Sequence, residues 1–431
     1  MKKIKKINII TMGCSKNLVD SEVLAGQLKK MGISVAHNDE NNNSDTIIVN
    51  TCGFINDAKE ESIDTILQLA KDKKNGLINH LFVFGCLSER YKDELKKEIH
   101  EVDEFFGVNS LTDIVQNITK DFEKELIGER LIATPPHYAY LKIAEGCDRK
   151  CSFCSIPSIR GKYISRTSGS LLTEAQHLSA QGVKEMMVIA QDLTYYGTDL
   201  YKKPQLTSLI DRLSNESGME WIRLHYAYPA KFPKDLIKLM KERENICNYI
   251  DIPFQHISDK MLKIMRRNHT KSDILNLIDY FRKEIPDMAI RTTLLVGHPG
   301  ETKKDFDELL RFVEDAQIDR LGVFTYSHEE DSWCWNKYKD NIPAKTKRER
   351  METVMEVQQS ISAKLNSGKS GKTFKTIIDR KEGDLFIGRT QYDSPEVDNE
   401  IIIKSKKNLK PGSFYNILIT DSSEFDLFGK F

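Results

Sequence analysis

The chain has 431 residues, a length that suggests about three domains. Hydrophobic residues make up 39 % and charged residues 30 %, which is typical of a soluble protein with packed cores and not of a disordered chain. The balance of 64 basic against 64 acidic residues does not favour strong nucleic-acid binding, and no apolar run approaches the ~18 residues that a membrane span requires.

The opening residues, MKKIKKINIITMG, are basic and then apolar. The apolar part is too short for a signal peptide, so it predicts a first strand. Eight cysteines in a chain without a secretion signal indicate a reducing, cytoplasmic location and favour metal ligation over disulfides.

The first third of the chain alternates short apolar runs with helical stretches, which predicts a parallel α/β domain. Residues 7–13, 45–51 and 81–85 are the strands, and Asp20–Met31 and Ala58–Lys73 are helices between them. A cysteine follows each strand: Cys14, Cys52 and Cys86. Because parallel strands end at one edge of a sheet, we expect these thiols to converge. Three inert buried thiols are the alternative, but their shared position favours a metal cluster.

A second alternation begins after Pro135 and Pro136, which mark a domain boundary. Its predicted strands are Tyr138–Ala144, Glu185–Ala190, Trp221–Tyr226, Tyr249–Phe254, Ala289–Val296 and Arg320–Tyr326. Six strands with helices between them predict an open, partial (β/α)6 barrel, in which functional groups lie at the carboxyl ends of the strands. Candidate contacts at those ends are Gln191, Asp192, His225, Gln255, His256, Gly297, His298, Gly300, Glu301 and His328.

The loop after the first barrel strand carries Cys147, Cys151 and Cys154 in a C-x3-C-x2-C spacing. Zinc at a structural site usually has four protein ligands, and an electron-transfer cluster also prefers four thiolates. Three thiolates leave one iron of a four-iron cluster open to a substrate or cofactor, so this cluster is favoured over the two alternatives. Five cations crowd the loop and would stabilise an anionic group: Arg149, Lys150, Arg160, Lys162 and Arg166.

The loop sequence CDRKCSFC resembles the signature of the radical S-adenosylmethionine enzymes, with Phe153 just before the third cysteine. In that family S-adenosylmethionine binds the open iron, which implies one 4Fe-4S cluster on these cysteines and contacts from Phe153 to the cofactor. The VGHPGET turn resembles the family segment VGFPGET beside the cofactor, with His298 in place of the usual Phe.

The segments GCSKNLVDSE and VNTCGFINDAKEES resemble the N-terminal domain of the methylthiotransferases, a subfamily of these enzymes. The resemblance implies a second 4Fe-4S cluster, held by Cys14, Cys52 and Cys86, whose open iron handles sulfur. Gly13, Gly53 and Gly85 flank these cysteines, and glycine would allow a close approach of the backbone.

The last sixty residues change character, since short strands with Gly and Pro turns predict a small antiparallel barrel. This part resembles the TRAM domain, an oligonucleotide-binding type of barrel that ends the methylthiotransferases. The predicted domains are therefore 1–130, 134–366 with a linking helix, and 368–431. Four acidic residues on one hairpin of the barrel predict a docking surface for a basic protein: Asp393, Glu396, Asp398 and Glu400.

One branch of the subfamily adds a methylthio group to the β-carbon of an aspartate in small-subunit ribosomal protein S-twelve. Five segments of the chain resemble this branch: GCSKNLVDSE, VNTCGFINDAKEES, YAYLKIAEGCDRKCSFCSIPSIRG, DIPFQHISDKMLKIMRR and DRLGVFTYSHEED. This resemblance implies that ribosomal protein as the partner, and an electron donor such as flavodoxin or ferredoxin. Two alternatives stay open: a methylthiotransferase acting on an adenosine of transfer RNA, and a non-catalytic electron carrier with two clusters.

Overall fold

The structure is a computed structural model that describes residues 4, 6–40, 44–119 and 130–431. Three main sheets follow one another along the chain, and they confirm the predicted fold class: a parallel α/β part, a partial barrel and a small β-barrel. Residues 120–129, at the end of the predicted first domain, lie outside the described residues. Within the described ranges, no helix combines the length and the apolar character that crossing a bilayer would need.

The N-terminal part alternates strands and helices. Its elements are β1 (Lys6–Thr11), α1 (Ser15–Lys30), β2 (Ser34–His37), β3 (Thr46–Thr51), α2 (Asn56–Lys74), β4 (His80–Gly85), α3 (Cys86–Glu98), β5 (Glu104–Phe105) and α4 (Leu111–Thr119). The five strands form a parallel sheet in the order β2-β1-β3-β4-β5. One apolar cluster contains Ile9 and Ile48, and another contains Val49 and Val83. The neighbouring strands β1, β3 and β4 therefore end side by side in a well-packed sheet.

The central part repeats the alternation on a larger scale. Its elements are β6 (Tyr138–Lys142), β7 (Ala144–Glu145), α5 (Ile156–Arg160), β8 (Ile164–Ser165), α6 (Ser168–Ala180), β9 (Glu185–Ile189), α7 (Thr198–Tyr201), α8 (Leu206–Glu216), β10 (Trp221–Leu224), α9 (Lys234–Glu242), β11 (Ile246–Asp251), α10 (Asp259–Ile264), α11 (Lys271–Glu284), β12 (Ala289–Val296), α12 (Lys303–Ala316), β13 (Arg320–Thr325), α13 (Trp333–Lys337) and α14 (Ala344–Ser367). Six of the strands form one parallel sheet in the order β13-β12-β11-β10-β9-β6, as predicted for the partial barrel.

The C-terminal part is a closed barrel of five strands. They are β14 (Thr373–Glu382), β15 (Leu385–Thr390), β16 (Ile401–Lys404), β17 (Phe414–Ser422) and β18 (Leu427–Lys430). The order is β14-β15-β16-β18-β17, and β16 runs parallel to β18 while the other neighbours are antiparallel. The short strand β18 closes the barrel, so the barrel leaves no open sheet edge.

The acidic segment of this barrel is not the exposed docking surface that its charges predict. Asp393 is buried and pairs with Arg320 of β13 at 2.5 Å. Asp398 accepts a hydrogen bond from the Tyr249 hydroxyl at 2.7 Å. The other two carboxylates, Glu396 and Glu400, also accept hydrogen bonds from within the chain. The docking hypothesis is therefore wrong: Asp393, Glu396 and Asp398 bind side chains of the central part, whereas Glu400 pairs with Arg380 within the barrel.

Candidate metal centres

The three cysteines of the N-terminal part converge at one edge of their sheet. Cys14 precedes α1, Cys52 follows β3, and Cys86 is the first residue of α3. A Cβ atom placed on Gly13 would lie 2.7 Å from Cys52 Cβ and 3.0 Å from its Sγ. The Cys86 thiol donates to Asn17 Oδ1 at 3.8 Å, and the charge of Cys14 affects the pKa values of both other thiols. The structure therefore brings this predicted triplet together.

Glycine allows the three loops to approach one another. A Cβ on Gly53 would lie 2.6 Å from the backbone nitrogen of Leu87, and a Cβ on Gly85 would lie 2.6 Å from the carbonyl oxygen of Thr51. Gly85 also has a φ of 106°, which side chains rarely adopt. Larger residues at these two positions would push the cysteine loops apart.

The burial of these thiols favours the neutral thiol over the free thiolate. Burial raises the pKa of Cys52 and raises the pKa of Cys86 to about 12, while the guanidinium of Arg160 opposes both shifts. Without a metal the two groups keep their protons at neutral pH. Because metals bind the thiolate form, loading this site releases protons.

The second triplet lines a cavity of about 310 Å³ at the start of the central part. Cys147, Cys151 and Cys154 all face this cavity, and its cationic side chains are Arg149, Lys150, Lys162 and Arg266. The loop is held in place because the backbone N–H of Cys147 donates to Gly161 and that of Ser152 donates to Met265, both at 3.0 Å. Three thiols on a cation-lined cavity fit an anionic cluster that has one corner open.

Neither triplet fits a single metal ion. Across the ranges that the structure describes, no three His, Cys, Asp or Glu side chains come close enough together to ligate one ion. Zinc ligands converge at 2.0–2.3 Å around one centre, whereas the thiolates of an iron–sulfur cluster attach to separate irons. A cluster at each triplet stays a prediction.

A stacked group of cations lies beside the second triplet. The Tyr228 ring lies between the guanidinium groups of Arg149 and Arg267, at 4.0 and 4.2 Å from the ring centroid. Arg267 Nη1 also donates to Cys151 Sγ at 3.3 Å. Sequence reasoning gave no role to Tyr228 or Arg267, because tertiary packing brings them to the cysteine loop.

The five cations of the cysteine loop separate into different roles. Arg149, Lys150 and Lys162 face the cavity, whereas Arg166 pairs with Glu174 of α6 at 2.7 Å. Arg160 turns towards the N-terminal part and donates to Asn17. The sequence predicts stabilisation by all five, and the structure leaves that role to the three at the cavity.

Arg160 connects the two cysteine triplets. Its buried guanidinium donates to Asn17 Oδ1 at 2.5 Å and to Glu145 Oε1 at 2.8 Å. Asn17 also accepts from the Cys86 thiol, and Glu145 lies two residues before Cys147. One buried side chain thus fixes the two candidate centres relative to each other.

Two predicted cofactor contacts, Gln191 and Asp192, follow β9. They differ in whether their side chains are free to bind a ligand. Neither the amide nitrogen nor the amide oxygen of Gln191 has a hydrogen-bond partner in the described structure, although both atoms are buried. Buried polar groups are normally paired, so this amide is suited to a ligand. Asp192 is already engaged, because its carboxylate accepts from Arg149 at 2.7 Å and from the backbone of Thr194 at 2.9 Å.

The turn after β12 holds three further predicted contacts: Gly297, Gly300 and Glu301. Glu301 is buried, accepts a hydrogen bond from the backbone of Gly297, and pairs with Arg350 of α14 at 3.0 Å. Gly297 has a φ of 76°, and a Cβ there would lie 2.3 Å from the Lys347 side chain. The carboxylate of Glu301 therefore shapes the turn from inside, and direct cofactor contact by these residues stays a prediction.

Phe153, His225 and His256 have neighbours within the protein. The Phe153 ring lies 6.4 Å from the ring of His298, in an edge-to-face arrangement. His225 is buried and hydrogen-bonds Ser394 of the C-terminal barrel at 3.1 Å, while His256 Nδ1 accepts from the backbone of Ile257 at 2.9 Å. His225 thus has a structural partner, whereas Nε2 of His256 has no hydrogen bond in the described structure and lies 3.6 Å from Glu301 Oε1.

Comparisons with known proteins show which families the chain resembles. The radical SAM superfamily model matches residues 141–313, a model described as uncharacterized protein family UPF0004 matches 6–107, and a TRAM domain model matches 371–431. A ribosomal protein uS12 methylthiotransferase RimO from Bacteroides thetaiotaomicron is 54 % identical over 99 % of this chain and 98 % of its own length. Proteins of the same name from Cytophaga hutchinsonii and Flavobacterium psychrophilum are 54 % and 52 % identical, again over 99 % of this chain and over 97 % and 98 % of their own lengths.

Solved structures support the fold alone. The radical S-adenosylmethionine methyltransferase TsrM from Kitasatospora setae aligns with a TM-score of 0.54 at 13 % identity, covering 75 % of each chain. The cobalamin-dependent S-adenosylmethionine radical enzyme OxsB aligns with a TM-score of 0.53 at 12 % identity, covering 82 % of this chain and 56 % of that one.

Proposed function

The chain belongs to the ribosomal protein uS12 methylthiotransferase family, and from this premise we propose that it adds a methylthio group to the β-carbon of an aspartate in that ribosomal protein. It is a radical S-adenosylmethionine enzyme. The observation that carries the proposal is the pair of thiol triplets, which lie on two sheets and are bridged by Arg160. One site for radical chemistry and one for sulfur is what a methylthiotransferase requires.

The family implies one four-iron cluster and S-adenosylmethionine, and we assign both to the central cavity. When bound, they supply the one-electron chemistry that removes hydrogen from a carbon. Cys147, Cys151 and Cys154 would hold the cluster. Arg149 and Arg267 place positive charge beside it, and the unpartnered amide of Gln191 is available to the cofactor.

We assign a second four-iron cluster to Cys14, Cys52 and Cys86. Three thiols at one sheet edge, close-packed glycine loops and the charge of Arg160 support this assignment. These residues would hold the sulfur-handling group against the central part, where α5 meets α3 through Ile159 and Cys86. The proposed domains are 1–130, 134–366 and 368–431.

The partners follow from the proposed reaction. The substrate is ribosomal protein uS12, which implies a cytoplasmic location, and reduction of the central cluster calls for a donor such as flavodoxin or ferredoxin. The names of the relatives favour neither the transfer-RNA reaction nor a simple electron carrier.

Mass spectrometry of ribosomal proteins and transfer RNA from cells lacking the gene tests this function. We expect uS12 to lose its methylthio group and transfer RNA to keep its modifications. A plasmid copy of the wild-type gene should restore the group, and a copy with Cys14→Ala should not. Loss of a transfer-RNA modification instead would favour the nucleic-acid alternative, and no change in either would favour the electron carrier.

A further inference from the structure

Lys16 is a buried cation whose charge acts on the nearby carboxylate of Asp251 without forming a direct ion pair with it. It is 8 % exposed and lies two residues after Cys14, in the first turn of α1. Its Nζ lies 3.0 Å from the centroid of the Tyr226 ring, and among the described residues it has neither an ion pair nor a hydrogen bond. A largely buried ammonium that makes no direct ion pair is available to an anion.

Helix stability does not explain this lysine. A cation in the first turn of a helix opposes the helix dipole, and α1 has no acidic residue in that turn. The helix instead carries Lys16 to the central sheet, because Val19 of α1 packs in one cluster with Tyr140 and Ile189. Lys16 therefore lies between the first cysteine triplet and the central strands.

Other polar groups without full partners surround the same place. Tyr226 follows β10, with Gln191 after the neighbouring strand β9 and Asp251 at the end of β11 on the other side. Asp251 Oδ1 has no hydrogen bond within the described structure, and its nearest cation is Arg291 Nη1 at 3.7 Å. Burial raises the pKa of Asp251, and the charges of Arg291 and Lys16 oppose that shift. Backbone hydrogen bonds from Leu193 to Tyr226 and from Tyr226 to Asp251 hold these strand ends together.

We propose that Lys16 binds a carboxylate, namely the side chain of the aspartate that is modified, and so determines specificity for it. This inference rests on the proposed function. A methylthiotransferase must present one carbon to both of its centres, and Lys16 lies at their junction. The carboxyl group of aspartate is attached to its β-carbon, so an ion pair with Lys16 would place that carbon. An adenosine has no carboxylate and could not use this contact.

Binding measurements with two substrates test this role on the loaded enzyme. Anaerobically reconstituted protein with S-adenosylmethionine would be titrated with uS12 and with uS12 in which the modified Asp is replaced by Asn. A charge-assisted contact should make the Asp form bind about tenfold to a hundredfold more tightly to the wild type. Lys16→Met should lower affinity for the Asp form to that for the Asn form, and Lys16→Arg should restore part of the preference.

The control is Lys59→Met, a largely buried lysine of the same part that pairs with Glu329 at 3.0 Å. It should keep the wild-type preference. Iron content is measured for each variant because Lys16 is close to Cys14. If the Lys16→Met protein does not bind iron, Lys16→Gln replaces it. The comparison of the two substrates on the wild type needs no variant.

Each outcome is decisive. A wild type that does not bind uS12 contradicts the proposed function itself. A wild type that binds both substrate forms equally, or a Lys16→Met protein that keeps the preference, overturns the role of Lys16 and leaves the function standing. Equal loss for both forms would show a structural role and overturn it as well. Weaker binding of S-adenosylmethionine with the preference retained would assign Lys16 to the cofactor carboxylate, which also overturns the proposal.

Discussion

At the residue scale, His298 shows how packing can preserve a position whose side chain differs from the family pattern. Its ring lies edge-on to Tyr326, with centroids 5.0 Å apart, and near Phe153. Its Nδ1 donates to the carbonyl oxygen of Pro299 at 2.8 Å, so Nε2 accepts from the Ser152 hydroxyl at 3.2 Å. The histidine thus replaces the aromatic ring and adds two hydrogen bonds, one of them to the cysteine loop.

The buried imidazole predicts a specific loss of stability in acid. Burial lowers the pKa of His298 from 6.5 to about 4. Because the folded state holds the neutral ring, its contribution is complete above pH 6.5 and is lost as the pH falls towards 4. The loss amounts to about 3 kcal/mol. Unfolding of the wild type and of His298→Phe, measured at pH 7, 5.5 and 4, should show this component in the wild type alone. Equal acid sensitivity of the two proteins would contradict the prediction.

At the element scale, the ends of parallel strands place the candidate ligands. Cys14, Cys52 and Cys86 come from three loops of one sheet, whereas Cys147, Cys151 and Cys154 share one loop of another. The two sets lie on separate sheets, each with its own apolar core. Either centre should therefore assemble without the other.

Iron content tests this independence. The reconstituted wild type should hold about eight irons per chain. Replacing all three cysteines of either set by Ala should leave about four, because the other sheet still presents three thiols. Cys247 and Cys334 are buried outside both sets, and the double variant Cys247→Ala, Cys334→Ala should keep the full content. A triple variant of either set that binds no iron would show that the centres depend on each other.

At the scale of the whole molecule, buried ion pairs join the C-terminal barrel to the central sheet. Glu185 at the start of β9 binds Arg223 at 2.7 Å and Arg389 of β15 at 2.8 Å. Asp393 and Arg320 add a further buried pair across the same interface. Breaking such a pair leaves a charge buried without compensation, which is far more costly than losing an exposed pair.

The buried and exposed acids of this barrel should therefore differ in their effect on stability. Asp393→Asn should lower the free energy of unfolding by about 3–5 kcal/mol, because Arg320 stays buried without its counter-ion. Glu400→Gln is the control, since its partner Arg380 is 45 % exposed, and it should cost under about 1 kcal/mol. Denaturant titrations of the two variants beside the wild type measure both values. Similar losses in the two variants would contradict the role of the buried pair.

The sequence by itself determined the fold class, the family and the two cysteine triplets, because element periodicity and motif spacing are local properties of the chain. The three-sheet architecture is confirmed, and the six cysteines stay the predicted cluster ligands. Spacing also placed Gln191 at a strand end, where its amide is unpartnered.

Only the tertiary structure decided which charges serve the centres and which hold the domains together. Arg149 lies in the cysteine loop and Arg160 ends the short helix α5 that follows it, yet one stacks on Tyr228 and the other binds Asn17, more than 140 residues before it. Asp393 looked exposed in the sequence but is neutralised by Arg320, 73 positions away. The value of a charged side chain depends on its solvation and on partners from distant segments, and the local pattern of residues contains neither.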